Sequence, residues 1–488
     1  MTSRRCVLTA AALGAVAALS RIPFATRTLW QWDSVLYARA LEQGFHVDSV
    51  LYDSRPHPPG YLFYVTLASL VHRILDDSNA ALVAVSVLAT VVAVTGVFLL
   101  AHRLVGYGRA TFAAAGFALS PVVWLYGEVA YPYTTLAAVS VGLAAAFHAA
   151  RARGASARVG ASALFGLAAG FRQDALVLFA PLWLWTIWPG TPRQRVACAT
   201  AVLGASLAWL VPTAALSDGP GEYVDSLLRQ TSGVMTAYSA PLNGFAALAY
   251  NASFTGYGLL LGVGAFAFLL AGLAPRALAA LRSRPSGDAL FLTLWSVPPL
   301  AFYVVVHIGE WGYLLSVLPA LYILVAMLLP SPARVPERWR VAAAAACVGS
   351  GALVFLFGRT QFAAAALAEH DRALEARVAY VRANFPPEST IVLAREDYLH
   401  VRYYLAEYRA YRYDPDPYAS RTRQHLKMPR HEMTVVLFTS GLQPSRPQDV
   451  RYVEVTPRIR LAYFQTAARA VVELEGSRFL VDNDSRAY

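Results

Sequence analysis

Residues 80–101 read AALVAVSVLATVVAVTGVFLLA, an apolar run without a single charged side chain. About 20 consecutive apolar residues are what an α-helix needs to cross the hydrocarbon core of a bilayer. The whole chain follows this pattern, because 57% of its 488 residues are hydrophobic, 15% are charged and the mean hydropathy is +0.44. One soluble core of ordinary size cannot bury that much apolar surface. The sequence therefore predicts an integral membrane protein.

The apolar runs predict about eleven transmembrane helices in a polytopic α-helical protein. They lie near residues 6–20, 80–101, 109–126, 131–150, 157–170, 174–188, 196–216, 254–273, 289–306, 312–329 and 341–358. The runs at 157–170 and 174–188 are short, so the polar residues 171–174 between them are either a tight turn or a break in one long helix. The first run follows Arg4-Arg5 and also resembles a secretory signal.

The arginines indicate the orientation, since basic residues near helix ends accumulate on the cytoplasmic side. With the amino terminus inside, every inner connection is basic, whereas acidic residues such as Glu128, Asp174 and Glu222 dominate the outer connections. The inner arginines are Arg4, Arg5, Arg103, Arg109, Arg151, Arg153, Arg158, Arg193, Arg195, Arg276, Arg282, Arg284, Arg334, Arg338 and Arg340. We expect a multi-pass protein of the cell membrane.

This orientation predicts two domains. Residues 1–358 form the transmembrane domain, with a first outer loop at about 21–79 and another outer loop at about 217–253. Residues 359–488 are charged and rich in tyrosine, and they are predicted to form a small extracytoplasmic α/β domain. Its predicted helices are 363–385 and 397–407, and its predicted strands are 390–394, 434–438 and 452–455.

The net charge of +11 does not indicate a nucleic-acid-binding protein. The arginines lie in short connections between apolar runs, and no compact basic domain with interleaved aromatic residues is present in the sequence. The expected charged partner is therefore the lipid bilayer rather than DNA or RNA.

Trp30-Gln31-Trp32-Asp33 lies directly after the first apolar run. Tryptophan prefers the boundary between water and lipid, so Asp33 is predicted to be an acid held at the outer interface. Apolar residues at near-helical spacing from 29 to 41 predict a short amphipathic helix with Asp33 near its start. A reaction on a lipid-linked substrate would take place at this depth, although Asp33 would equally suit a helix-capping acid.

Two further outer segments carry candidate site residues. His57-Pro58-Pro59-Gly60 is predicted to introduce a second interfacial or re-entrant helix, because prolines favour the first turn of a helix. Glu128 lies beside Tyr126, Tyr131 and Tyr133, where a sugar ring could stack, but it also suits a hydrated acid at a helix end.

These motifs, taken in order, resemble the GT-C glycosyltransferases. They are Trp-Gln-Trp-Asp33, His57-Pro-Pro-Gly-Tyr-Leu, Tyr126-Gly-Glu128-Val-Ala-Tyr131-Pro and Gly309-Glu-Trp-Gly-Tyr313-Leu-Leu. The resemblance covers about residues 20–330 and is strongest to the protein O-mannosyltransferases and lipid A aminoarabinose transferases. Where that family often has an adjacent Asp-Glu pair, this chain has Asp33-Ser34.

The resemblance implies transfer of a sugar from a polyprenyl-phosphate donor to an acceptor outside the cell. A departing phosphate needs no proton, whereas the attacking hydroxyl must lose one, so Asp33 is predicted to be the general base and the reaction to invert the anomeric carbon. Glu128 is the second predicted catalytic residue. Predicted substrate contacts are Trp32, His57, Arg172, Arg229, Tyr131 and Tyr313.

The alternatives concern the phosphate charge and the class of protein. Arg172, Arg229 or a divalent cation would balance the phosphate, and Asp33, Glu128 and His57 are hard metal ligands without a defining spacing. Arg172 would alternatively pair with Asp174.

A transporter or lipid flippase would also be polytopic, but transporters place polar groups near the bilayer midplane. The acids here gather at the outer rim, which favours an enzyme. The missing second acid leaves open a catalytically inactive scaffold.

Overall fold

The computed structural model describes most of the chain. The described residues are 3–48, 53–269, 272, 275, 287–329, 336–412, 433–438, 450–466, 473–474 and 477–478. The end of the predicted span 254–273 and the predicted inner residues Arg276, Arg282, Arg284 and Arg334 lie outside them.

The first 357 residues form sixteen described α-helices. They are α1 Ser3–Leu19, α2 Trp32–Gln43, α3 Leu62–Leu75, α4 Ser78–Val105, α5 Tyr107–Ala118, α6 Pro121–Tyr126, α7 Tyr133–Arg153, α8 Ala155–Ala168, α9 Ala175–Leu178, α10 Ala180–Ile187, α11 Pro192–Ala215, α12 Pro220–Tyr238, α13 Ala240–Val263, α14 Gly287–Val305, α15 Leu318–Leu328 and α16 Glu337–Phe357. Short 3-10 helices span Ile22–Phe24 and Trp311–Ser316.

Six helical segments among the described residues are long and apolar enough to cross a membrane. They are Arg4–Phe24, Ser78–Val105, Tyr133–Arg153, Pro192–Ala215, Gly287–Val305 and Glu337–Phe357. The helical membrane architecture is thus confirmed, whereas the count of eleven spans remains a prediction.

Prolines explain why several predicted spans are interrupted. The span predicted at 109–126 is two helices, because α6 begins at Pro121, whose ring cannot continue the preceding hydrogen-bond pattern. The span predicted at 174–188 is likewise divided into α9 and α10, with Pro181 in the first turn of α10. Residues 171–174 form a turn, so 157–188 is not one long helix.

The helices predicted in the first outer loop are present. Asp33 lies in the first turn of α2, and α3 follows the proline pair as expected. The segment 217–253 is not an irregular loop, because α12 and the first half of α13 occupy it. The two helices join at Ser239, and Gly244 adopts a φ of 64° inside α13, which bends it.

The described part of the C-terminal domain is α/β, as predicted. Helix α17 spans Ala364–Asn384 and α18 spans Tyr398–Tyr404, with a 3-10 turn at Pro387–Ser389. The strands are β1 Thr390–Ala394, β2 Arg409–Arg412, β3 Met433–Leu437, β4 Arg451–Thr456, β5 Ile459–Thr466, β6 Glu473–Leu474 and β7 Ser477–Arg478. The main sheet has the order β2-β1-β3-β5-β4, and β6 pairs with β7.

Strand direction changes across this main sheet. Strand β1 is parallel to β2 and β3, with Ile391 opposite Val435, whereas β5 runs antiparallel to β3 and β4. Strands β1 and β3 are buried along their whole length, as expected for the centre of a sheet covered on both faces.

Helices α8 and α11 approach each other closely at Gly166. A Cβ atom at this position would lie 2.3 Å from the Val202 backbone oxygen, nearer than real contacts allow. The Trp209 indole donates a 2.9 Å hydrogen bond to the Gly166 oxygen across the same contact. Small residues at helix crossings of membrane proteins permit such backbone approach.

We predict that Gly166→Ala destabilises the protein by about 1–3 kcal/mol, because the added methyl group forces α8 and α11 apart. Gly160→Ala is the matched control, since it lies in the same helix and its added Cβ meets nothing within 4 Å. Thermal unfolding in detergent, followed by tryptophan fluorescence, should show a lower Tm for the first variant alone. Equal Tm values for the two variants would contradict this account.

Candidate active site

Asp33 lies in the first turn of α2, where the helix dipole favours a negative charge. The N-cap residue is Gln31, and its backbone N–H donates to the Ser34 hydroxyl at 3.5 Å. The Ser34 hydroxyl in turn donates to the Ala130 carbonyl oxygen at 2.9 Å, which ties this helix end to the segment before α7. Asp33 is therefore not the capping residue, and its carboxylate is free for another role.

His57 lies against Asp33. Its Nε2 is 3.4 Å from Asp33 Oδ1, and its Nδ1 donates a 2.6 Å hydrogen bond to the Pro58 carbonyl oxygen. Because Nδ1 carries a proton, Nε2 must also carry one if it is to face a carboxylate favourably. Burial lowers the pKa of His57, but the charge and hydrogen-bonding capacity of Asp33 outweigh that effect and raise the pKa overall.

The Asp33 and His57 side chains are largely buried. Asp33 keeps 14% of its side-chain surface exposed and His57 keeps 11%. Asp33 Oδ1, the oxygen that faces His57, is fully buried and makes no hydrogen bond within usual limits. The exposed part of the carboxylate therefore lies on its other side. Trp32 stacks near His57 with ring centroids 6.0 Å apart, which restricts the position of the imidazole ring.

Asp33 and His57 line a cavity of about 330 Å³, here called the Asp33 cavity. Its other lining residues are Trp32, Tyr131, Tyr133, Gln230, Val234, Tyr238, Tyr250, His307, Ile308, Gly309, Glu310 and Tyr313. A larger groove of about 690 Å³ runs between α1 and α4, but its walls are mainly alanine, valine and leucine side chains. Convergent titratable groups make the Asp33 cavity the better candidate for chemistry.

Tyrosines form one wall of the Asp33 cavity. The rings of Tyr131 and Tyr133 stack with centroids 5.1 Å apart and planes inclined by 10°. The Tyr131 hydroxyl donates a 3.1 Å hydrogen bond to Gln31 Oε1, beside the start of α2. Flat aromatic faces with a polar rim suit contact with a sugar ring. The predicted contacts Trp32, His57, Tyr131 and Tyr313 thus all lie on one cavity.

Glu310 is a second acid in the cavity. Its Oε2 accepts a 3.1 Å hydrogen bond from the Tyr126 hydroxyl. Burial, assisted by the negative charge of Asp33, raises the pKa of Glu310 to about 7. A buried acid with a raised pKa, close to a second acid, is typical of catalytic sites. Our site prediction omitted Glu310, although the Gly309-Glu-Trp-Gly motif was already part of the resemblance.

Arg172 lies behind the tyrosine wall. Its Nε donates to both Asp174 oxygens, at 3.0 and 2.9 Å. Its guanidinium also lies 4.1 Å from the Tyr313 ring centroid and 5.0 Å from that of Tyr133. The residue is only 4% exposed. The Asp174 pairing considered as an alternative is therefore present, and Arg172 reaches the cavity through the two rings that it supports.

Two predicted site residues lie elsewhere. Arg229 is exposed on α12, where it pairs with Asp225 at 2.7 Å, and it is not among the residues that line the cavity. Glu128 is also absent from that lining. It is fully buried, neither of its carboxylate oxygens has a hydrogen-bond partner, and the charge that acts on it comes from the buried Arg21 at the end of α1. Its predicted place beside an open tyrosine wall is not observed, because the turn after α6 directs the carboxylate toward α1.

Helix α12 contributes residues that sequence reasoning missed. Gln230, Val234 and Tyr238 recur at intervals of four residues and so share one face of the helix that borders the cavity. His307 lies opposite, with its ring centroid 5.0 Å from that of Tyr238. Burial, with the nearby charge of Arg172, lowers the pKa of His307 to about 4, so this imidazole is neutral. The four-residue spacing in α12 is visible in the sequence, but the contact between Tyr238 and His307 is not.

The residues proposed as ligands for a divalent cation do not form a metal-binding group. Among the described residues, no cluster of three or more histidine, cysteine, aspartate or glutamate side chains could hold a metal ion. Asp33 and His57 are adjacent, but Glu128 is not on the same cavity.

A family model for dolichyl-phosphate-mannose-protein mannosyltransferase matches residues 56–217. This segment includes His57, the Glu128 turn and Arg172. A search of curated proteins finds no match.

Solved structures share the fold over almost the whole chain. ArnT from Cupriavidus metallidurans, bound to undecaprenyl phosphate, aligns with a TM-score of 0.58 and 13% identity over 95% of this chain and 98% of its own. The apo form of the same protein aligns with a TM-score of 0.54 and 14% identity over 94% of this chain and 97% of its own.

An oligosaccharyltransferase from Archaeoglobus fulgidus, tethered to an acceptor peptide, gives a TM-score of 0.53 and 13% identity over 84% of this chain and 64% of its own. At such low identity these likenesses establish the fold alone. The chain thus shares its fold with ArnT and with the oligosaccharyltransferase, and its residues 56–217 match the mannosyltransferase family model.

Proposed function

We propose that the protein transfers a sugar from a polyprenyl-phosphate donor to an acceptor hydroxyl at the extracytoplasmic face of the cell membrane. The observation that carries this proposal is the Asp33–His57 pair in a tyrosine-walled cavity that also contains Glu310. The ArnT structure that shares this fold is bound to undecaprenyl phosphate, a lipid of the proposed donor class.

Asp33 is the general base in this proposal. The acceptor hydroxyl transfers its proton to the Asp33 carboxylate as its oxygen bonds to the anomeric carbon. The bond from that carbon to the phosphate oxygen breaks, and its electron pair leaves with the polyprenyl phosphate. The phosphate is already an anion, so one base is sufficient and no acid must protonate the leaving group. Attack from the face opposite the phosphate inverts the anomeric carbon.

The surrounding residues hold the reactants and balance their charge. The His57 imidazolium orients the carboxylate, because its Nε2 lies beside Oδ1 and leaves the opposite side of Asp33 for the acceptor. Trp32, Tyr131 and Tyr313 contact the sugar. Arg172 supplies positive charge from behind the tyrosine wall, at a low local dielectric constant that strengthens its effect.

Helix α12 borders the acceptor side in this proposal, and Arg229 has no part in it, because this residue is exposed, pairs with Asp225 and does not line the cavity. Glu310 takes the place of Glu128 as the second acid, since Glu310 lines the cavity and Glu128 does not. The sugar and the acceptor are left as a class, because the cavity is bounded by side chains that suit many hydroxylated rings.

We predict that Asp33→Asn lowers the rate of sugar transfer by about 10²- to 10⁴-fold, the usual contribution of a general base. The assay follows a radiolabelled polyprenyl-phosphate sugar and its product in detergent. Asp76→Asn is the matched control, since Asp76 is exposed at the end of α3 with a φ of 51° that asparagine also adopts readily. Undiminished transfer by Asp33→Asn, or movement of intact lipid without a product bond, would refute the proposed reaction.

The raised pKa of Glu310 predicts a pH dependence of donor binding. Glu310 is neutral below about pH 7 and ionised above it, so its charge repels the donor phosphate only at the higher pH. A sugar phosphodiester keeps a single negative charge throughout this range. We expect the donor KM of the wild type to rise between about pH 6 and about pH 8, and to stay constant in Glu310→Gln. The same rise in both proteins would exclude Glu310 as its source.

A further inference from the structure

The C-terminal domain binds the chain segment that leads into α2. We infer that this domain positions Asp33 by holding the backbone of residues 27–29, an inference that rests on the proposed role of Asp33 as the base. Asp371, Tyr404, His370 and His400 make the contacts. They are positioning residues, because they touch the backbone near Asp33 and not the substrate.

Asp371 on α17 binds two consecutive backbone amides. Its Oδ2 accepts from the Arg27 N–H at 2.9 Å, and its Oδ1 accepts from the Thr28 N–H at 3.0 Å. The Thr28 hydroxyl donates a third hydrogen bond to Oδ1 at 2.6 Å. Asp371 is 5% exposed, so these bonds form away from bulk water. Charge-assisted hydrogen bonds of this kind are stronger than bonds between neutral groups.

Leu29 is bound through both of its backbone groups. Its N–H donates to the Tyr404 hydroxyl at 2.9 Å. Its carbonyl oxygen accepts from Nε2 of His370 and from Nε2 of His400, each at 3.0 Å. Three residues separate Leu29 from Asp33, and one of them, Trp30, has its ring 4.8 Å from the His370 ring. The domain therefore binds the chain almost up to the N-cap of α2.

The opposite end of α2 is held by the same domain. The Tyr403 hydroxyl donates to Glu42 Oε1 in the last turn of α2, and Arg402 pairs at 3.2 Å with Asp53, ten residues after the end of the helix. Leu29 and Leu36 also share a buried cluster with Leu374 and Val401 of the domain. Contacts at both ends and along one face fix the position of α2, and with it the direction in which Asp33 points.

Residues 27–29 have no regular secondary structure. Each of the backbone bonds described above has its partner in the C-terminal domain, whereas Thr26, one residue earlier, donates its N–H to the Glu128 carbonyl oxygen of the transmembrane part. The change of partner occurs directly before the helix that carries the base. Loss of the domain contacts would free the segment and displace Asp33 from His57.

The test compares Asp371→Asn and Tyr404→Phe with Glu375→Gln in the full-length protein. Glu375 is the matched control, because it lies on α17 and binds the side chain of Arg27, with both side chains about half exposed. Hydrogen exchange followed by mass spectrometry measures the protection of residues 27–43 against that of α7. The single-turnover rate constant of bound donor measures catalysis without depending on the fraction of folded protein.

We expect Asp371→Asn and Tyr404→Phe to exchange faster than the wild type in residues 27–43, with the exchange of α7 unchanged. Their single-turnover rate constants should fall by about 10- to 100-fold, since a displacement near 1 Å has that effect on a positioned group. Glu375→Gln should stay within about twofold of the wild type, as expected for an exposed ion pair. Unchanged protection, or faster exchange with an unchanged rate constant, would overturn the inference. If wild-type protein transfers no sugar, the proposed function fails, and the exchange data alone then decide whether the C-terminal domain holds residues 27–29.

Discussion

The approach of His57 Nε2 to Asp33 Oδ1, at 3.4 Å, is the contact on which the rest of the site depends. A carboxylate largely withdrawn from water is costly unless a positive charge or hydrogen-bond donors compensate it. His57 supplies that compensation because its other nitrogen already donates to the Pro58 carbonyl oxygen. Asp33 and Glu310 therefore line one cavity, and Arg172 lies behind the tyrosine rings that form its wall.

Both domains contribute to this arrangement. The transmembrane part supplies the tyrosine wall, Arg172 and the lining face of α12, while the C-terminal domain binds the segment before α2 and both ends of that helix. Arg402, Tyr403 and Tyr404 of this domain bind Asp53, Glu42 and the Leu29 N–H, respectively. The C-terminal domain thus contacts the segment before α2 as well as the far end of that helix.

Much of the fold could be predicted from local patterns. Apolar runs of the length of a bilayer mark the long helices, and alternation of helix-like and strand-like segments marks the α/β domain with boundaries close to those observed. The interruptions were harder, since Pro121 and Pro181 divide runs whose hydropathy is continuous. The helical nature of 217–253 was also missed, because α12 is amphipathic and reads as polar. In the site, Asp33, His57, Trp32, Tyr131 and Tyr313 were identified by motif and share a cavity.

The sequence by itself determined the membrane class, the position of Asp33 at a helix start and the aromatic residues around it, since these depend on composition and spacing within short segments. Only the tertiary structure decided which acids line the same cavity as Asp33. Glu128 and Glu310 each lie within two residues of an aromatic residue in the sequence, but Glu128 lies near the buried Arg21, whereas Glu310 lines the cavity beside Tyr126. The contact between Asp371 and residues 27–28 joins positions more than 340 residues apart. No local pattern encodes such a pairing, because it arises from the packing of two domains.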